Sequence, residues 1–76
     1  MIKISKAKAV EIIKSTSSKY MTVKNITKDG RDRTYKSSKY IMDMHGNLNV
    51  LTKDGYRNIR PETIFYLKFK QEYAVV

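Results

Sequence analysis

The spacing of apolar residues along the chain changes period once, near residue 19, and the change separates a helix from a run of strands. From Ile4 to Lys14 the intervals are helical: Ala9, Val10 and Ile13 make a narrow apolar stripe, while Lys8, Glu11 and Lys14 face water. Ser5 stands where its hydroxyl can accept an unpaired amide proton of the first turn, so a helix is predicted over residues 5–15. The polar run Ser15-Thr16-Ser17-Ser18 ends it. The stripe lacks the bulky Trp, Phe and Leu residues of a membrane-surface helix, and packing on a sheet is expected instead.

Beyond the polar run the period is two. Tyr20 to Thr27 is rich in β-branched and aromatic residues, with Met21 and Val23 on one face. Asn25 then falls where that face should continue and Ile26 is out of phase; a bulge between Val23 and Ile26 would restore it. Lys28-Asp29-Gly30 reads as a turn, followed by a return strand from Arg31 to Lys36. Its alternation groups Arg31, Arg33 and Tyr35 on one face and Asp32 and Thr34 on the other.

Tyr40 to Met44 is a third apolar stretch, stopped by His45-Gly46-Asn47, and Leu48 to Thr52 is a strand. A second turn, Lys53-Asp54-Gly55, leads into a strand from Tyr56 to Ile59. Thr-Lys-Asp-Gly thus occurs at Thr27 and again at Thr52, too short a match to establish an internal repeat. Pro61 has no amide proton to give a ladder, so Arg60 to Thr63 reads as a single helical or 3₁₀ turn. Ile64 to Phe69 closes the chain as a strand, with Tyr73 to Val76 as a further one. Ile64 to Phe69 is apolar enough to pair across a two-fold axis, which makes a homodimer an expectation. One helix followed by about five short strands predicts a single α+β, mostly β domain over residues 1–76. The helix would pack on a small five-stranded barrel spanning residues 20–76.

Size and composition narrow the functional classes. A domain of 76 residues buries only about 60% of the surface of its unfolded chain, leaving little room for a deep, water-excluded pocket. No apolar run approaches the roughly 20 residues of a membrane span, no secretory signal pattern opens the chain, and there is no cysteine. A cytoplasmic protein without membrane association is expected. Sixteen Lys and Arg against seven Asp and Glu give a net charge of +9. With an isoelectric point near 9.9, that is the electrostatic footprint of nucleic-acid binding. An anionic membrane surface and an acidic protein are the other partner classes that such a charge suits.

The residues offer little for catalysis. His45 is the single histidine and sits in a predicted turn, away from any recognisable nucleophile. One histidine with scattered carboxylates is not a zinc set, and three single glycines at turns match no phosphate-binding loop. Asp29, Asp32 and Asp54 lie near turns, where Asp-Gly has a sufficient conformational reason to occur. No catalytic residue, metal or cofactor is expected, with a metal-free ribonuclease built on Arg, Lys and Tyr as the surviving enzymatic alternative.

The cations are better suited to binding. Arginine's planar fork bonds phosphate bidentately and stacks on bases, and tyrosine rings add sequence-tolerant stacking. All four arginines fall in two clusters that also hold tyrosines: Arg31, Arg33, Tyr35, Lys36, Lys39 and Tyr40, and then Tyr56, Arg57 and Arg60. These nine are the candidate nucleic-acid-binding residues. Tyr35 and Tyr40 are the expected stacking platforms, and the four arginines the phosphate contacts. No helix has the length and basic face of a major-groove reader, so RNA or another single strand is favoured over duplex DNA.

The stretch from Met21 to Ile64 resembles a family of small bacteriophage proteins with an Sm-like, SH3-type β-barrel, related in name to the WYL domain. The resemblance rests on Met21-Thr22-Val23, Lys28-Asp29-Gly30-Arg31-Asp32-Arg33-Thr34, Gly55-Tyr56-Arg57-Asn58-Ile59, and Thr63-Ile64 with Leu67. It covers a little over half the chain, and Asn25 stands where the family usually has an aromatic or aliphatic residue. It implies the SH3/Sm-like barrel and a phage origin, but no catalytic set. By analogy it implies an accessory role in host takeover, countering a host defence or inhibiting a toxin ribonuclease. The alternative within that setting is a protein inhibitor that docks its basic face on an acidic host enzyme.

Overall fold

Three residues ahead of the helix form a strand that the apolar pattern does not announce. The computed structural model describes residues 1–16 and 19–76. In chain order the elements are β1 (Ile2–Ile4), α1 (Lys6–Ser15), β2 (Met21–Ile26), β3 (Asp32–Ser37), β4 (Tyr40–Met42), β5 (Leu48–Thr52) and β6 (Gly55–Ile59). A 3₁₀ turn at Pro61–Thr63, β7 (Ile64–Lys68) and β8 (Glu72–Val75) complete them. Ser5 caps α1 as its position predicts, its hydroxyl accepting from the amide of Lys8 at 3.1 Å. Ile4 therefore belongs to β1 and not to the helix, and so does Lys3. Of the polar connector, Ser17 and Ser18 lie outside the described residues.

The protein is mostly β with one helix, but its strands form two sheets and not a single closed five-stranded barrel. The larger sheet has the order β1-β8-β7-β2-β3, and the smaller β4-β5-β6. All pairings are antiparallel except β1 with β8, where Ile2, Lys3 and Ile4 lie beside Tyr73, Ala74 and Val75. Closure fails because β1 and β8 extend the larger sheet on one side, while the chain turns at Ser38-Lys39 and delivers β4 to the other sheet. The Leu51 amide donates to the Lys39 carbonyl at 2.9 Å, which carries the β4–β5 ladder one residue further into the corner.

One core lies between the sheets. Met21 and Val23 of β2, Ile64 and Leu67 of β7 and Val75 of β8 face Leu48 and Val50 of β5 and Ile59 of β6 across it. Ala9 and Ile13, a turn apart on α1, complete this cluster. Lys6 adds a polar tie, its Nζ donating to the Ile64 carbonyl at 3.0 Å.

The expected bulge is present but on the partner strand. Lys24 pairs with Tyr66 and Asn25 with Ile64, so Phe65 is the extra residue and the phase break belongs to β7. This explains how Ile64 and Leu67, three apart, are both fully buried. β2 keeps strict alternation, which leaves Ile26 exposed and holds Asn25 in the core at 8% exposure. The Asn25 amide nitrogen donates to Thr63 Oγ1 at 3.3 Å, but its Oδ1 has no partner among the described residues.

Tyr40 is also a core residue. Its ring is 7% exposed and tilted against Phe69, and its hydroxyl donates toward the carbonyls of Thr16 and Lys19. That ties β4 to the end of α1 and removes Tyr40 from the stacking platforms. β7 lies between β8 and β2 with both edges hydrogen-bonded, so it is closed to pairing with a second copy. The strand pairing expected from its apolar sequence thus finds no free edge on β7 within this sheet. The free edges of the larger sheet are β1 and β3.

Two substitutions test this packing. Asn25→Val removes a buried oxygen without a partner, and stability by thermal or urea unfolding should rise by about 1 kcal/mol. Tyr40→Phe keeps the ring but leaves two carbonyls without their donor. A loss of about 1 kcal/mol is expected, seen as a fall of about 4–8 °C in the melting temperature.

Candidate nucleic-acid interface

β3 and β6 are free strand edges, one from each sheet, and an open cleft lies between them. Cross-strand register places Arg33 beside Asn25 and Arg57 beside Val50, so both arginines occupy core-facing positions of their sheets. Both are nevertheless exposed, because they border the open cleft and not the closed core. The resulting open cleft has a volume of about 710 Å³ and is lined by Arg33, Tyr35, Lys36, Tyr56 and Arg57 together with the β5–β6 turn. The two sequence clusters, some twenty residues apart in the chain, therefore meet at one site through five of their nine members.

The turns at the cleft use the repeated tetrapeptide in two ways. In the first, the Thr27 amide donates to the Arg31 carbonyl and the Gly30 amide to the Thr27 carbonyl, both at 2.9 Å. Gly30 there takes φ +79°, a conformation that L side chains rarely adopt. In the second, Thr52 pairs directly with Gly55 across Lys53-Asp54, and the Thr52 hydroxyl donates to the Gly55 carbonyl at 2.7 Å. Thr27, Thr52, Lys53 and Asp54 all contribute to the cleft wall. Sequence reasoning missed Lys53, Thr52 and Asn58 as site residues, although the duplicated turn was the signal that pointed to them.

Four cations, Arg33, Lys36, Lys53 and Arg57, thus face one carboxylate. Asp54 Oδ2 lies 3.7 Å from Arg57 Nη2, both groups well exposed, so this pair is weak and easily exchanged for a phosphate. Tyr56 is 59% exposed beside the cations, whereas Tyr35 gives part of its ring to the core and only the remainder to the cleft. Arg31, Lys39 and Arg60 do not line it. Arg31 precedes β3, Lys39 occupies the corner between the sheets, and Arg60 leads into the 3₁₀ turn, where its carbonyl accepts from Thr63.

His45 lies in the exposed β4–β5 turn, which Asp43 organises and not the histidine. Asp43 Oδ1 accepts the amides of His45 at 2.9 Å and Asn47 at 3.0 Å, and Oδ2 accepts from the Asn49 side chain at 3.2 Å. The Asn47 amide chiefly holds the Asp43 carboxyl below its ordinary value, with Asn49 and His45 acting in the same direction. Among the described residues no group of three or more His, Asp or Glu side chains gathers, and no helix is long and apolar enough to cross a membrane.

The Asp43 contribution to stability is full above the ordinary carboxylate value of 3.8 and vanishes as pH falls through the lower folded-state value. Asp43→Ala should therefore melt at a lower temperature than the parent near neutral pH. The difference should shrink toward zero in a series of melts carried below that value. Comparisons with protein-family models, curated proteins and solved structures find no match to this chain.

Proposed function

We propose that this chain is a non-catalytic binding domain that holds single-stranded nucleic acid, RNA in preference to DNA, in the cleft between β3 and β6. The observation that carries the reading is the convergence of Arg33, Lys36, Lys53 and Arg57 with the exposed ring of Tyr56. Cations displace counterions from a phosphate backbone, and a neighbouring ring offers an unpaired base a stacking surface, a combination that suits single strands. The geometry also favours a strand over a duplex, because the cleft walls are short strands and turns and no helix projects from them. The proposal includes a partly open SH3/Sm-like barrel, supported by the enclosed core and by the bent β3–β4 segment that passes from one sheet to the other. In a phage setting the binding would serve to counter a host defence or a toxin ribonuclease.

The test is anisotropy with labelled single-stranded RNA, single-stranded DNA and duplex across a salt series, using nuclease-treated protein. Binding that prefers RNA and weakens steeply with salt is expected. Arg33→Gln with Arg57→Gln should make the logarithmic salt slope shallower by about 1.4, two phosphate contacts at roughly 0.7 each. Arg31→Gln with Arg60→Gln, outside the cleft, should change it little. Absence of binding at low salt would overturn the reading and direct the charge to an acidic protein partner.

A further inference from the structure

The larger sheet has a second face. Residues of α1 and the smaller sheet join the core on its inner side, and the outward residues are exposed or half-buried. Register arranges them in rows: Lys3, Ala74, Tyr66, Lys24 and Thr34 cross all five strands, and Glu72, Lys68, Thr22 and Lys36 cross four. Lys24 stands diagonal to both Lys68 and Lys36, close enough for like charges to oppose one another. Among the described residues none of Lys3, Lys24, Lys36 and Lys68 has an ion-pair partner. The Lys24 ammonium lies 4.8 Å from the centre of the Tyr66 ring, and the Tyr66 hydroxyl donates to Glu72 at 3.0 Å, which engages the nearest carboxylate. Burial foremost, and then Glu72, push the Tyr66 phenol up, so it remains a donor.

Edge protection explains some of these lysines but not all. Lys3 on β1 and Lys36 on β3 stand on free edges, where a charge discourages pairing with another chain. Lys24 and Lys68 stand on β2 and β7, whose edges are already hydrogen-bonded, so they guard nothing. Lys36 also lines the cleft, so the cationic surface passes over the β3 edge without a break. Lys24 and Lys68 then carry it across two inter-strand gaps, about 10 Å, as far as Ala74 and Glu72 on β8.

We infer that the outer face of the larger sheet is a second track for single-stranded nucleic acid, continuous with the cleft over Lys36, with Lys24 and Lys68 as its phosphate contacts. The inference rests on the cleft reading above. It is tested by anisotropy of the full chain with labelled oligouridylates of about 4, 8 and 16 nucleotides, the range of site sizes in small barrels. The parent should bind the longest with a steeper salt slope than the shortest. In Lys24→Gln with Lys68→Gln, affinity for the longest should fall about tenfold and its slope become shallower by about 1.4, while the shortest binds as before. Circular dichroism melts confirm that the variant keeps its fold. If the variant binds the longest oligomer as the parent does, the track is overturned and the cleft reading stands. If the parent binds none of the oligomers, both are overturned.

Discussion

The fold depends on the one core that the two sheets share, and β2, with both edges occupied and Met21 and Val23 fully buried, is a central wall of it. Met21 and Val23 belong to the same core as residues of the helix, the smaller sheet and the C-terminal strands, and β2 links β7 to β3 within the larger sheet. In a core of eleven buried hydrophobics, nearly every element supplies one or two and none is redundant. A large enclosed pocket would compete with that core for the same few side chains. The charged side chains are accordingly at the surface, and the cleft lies at the border between the two sheets.

Arg33 and Arg57 show how an exposed cationic cleft can be built from a core pattern. Alternation assigns them to the inward side, and a continuous sandwich would force such charges into an apolar layer at severe cost. Here they border the open cleft and not the closed core. The cationic groove lies between β3 and β6, the free edges that an unclosed barrel leaves.

Local signals were legible in the sequence: the Ser5 cap, the turns at Gly30 and Gly55, the 3₁₀ turn after Arg60, and the strands on either side of them. What could not be read was whatever depends on distant pairing. Ile2-Lys3-Ile4 becomes a strand only because residues near 75 lie beside it. The phase break was visible at Asn25 and Ile26, but pairing assigns it to Phe65 in the neighbouring strand. For the site, both clusters were visible, while their convergence through Arg33, Tyr35, Lys36, Tyr56 and Arg57 was a tertiary fact. Tyr40 was misplaced because a ring bound for the core and a ring bound for a base have the same local sequence character.

The parallel pairing of β1 with β8 has a consequence for the order in which the chain can assemble. The loop that this contact closes spans almost the whole molecule, so its entropy must be surrendered before the pairing returns anything. During synthesis, Ile2–Ile4 has no partner until Glu72–Val75 has emerged, and until then two isoleucines wait on an open backbone edge. The charge of Lys3 between them is a safeguard for that interval: it discourages a half-made sheet from borrowing a strand from a neighbouring nascent chain.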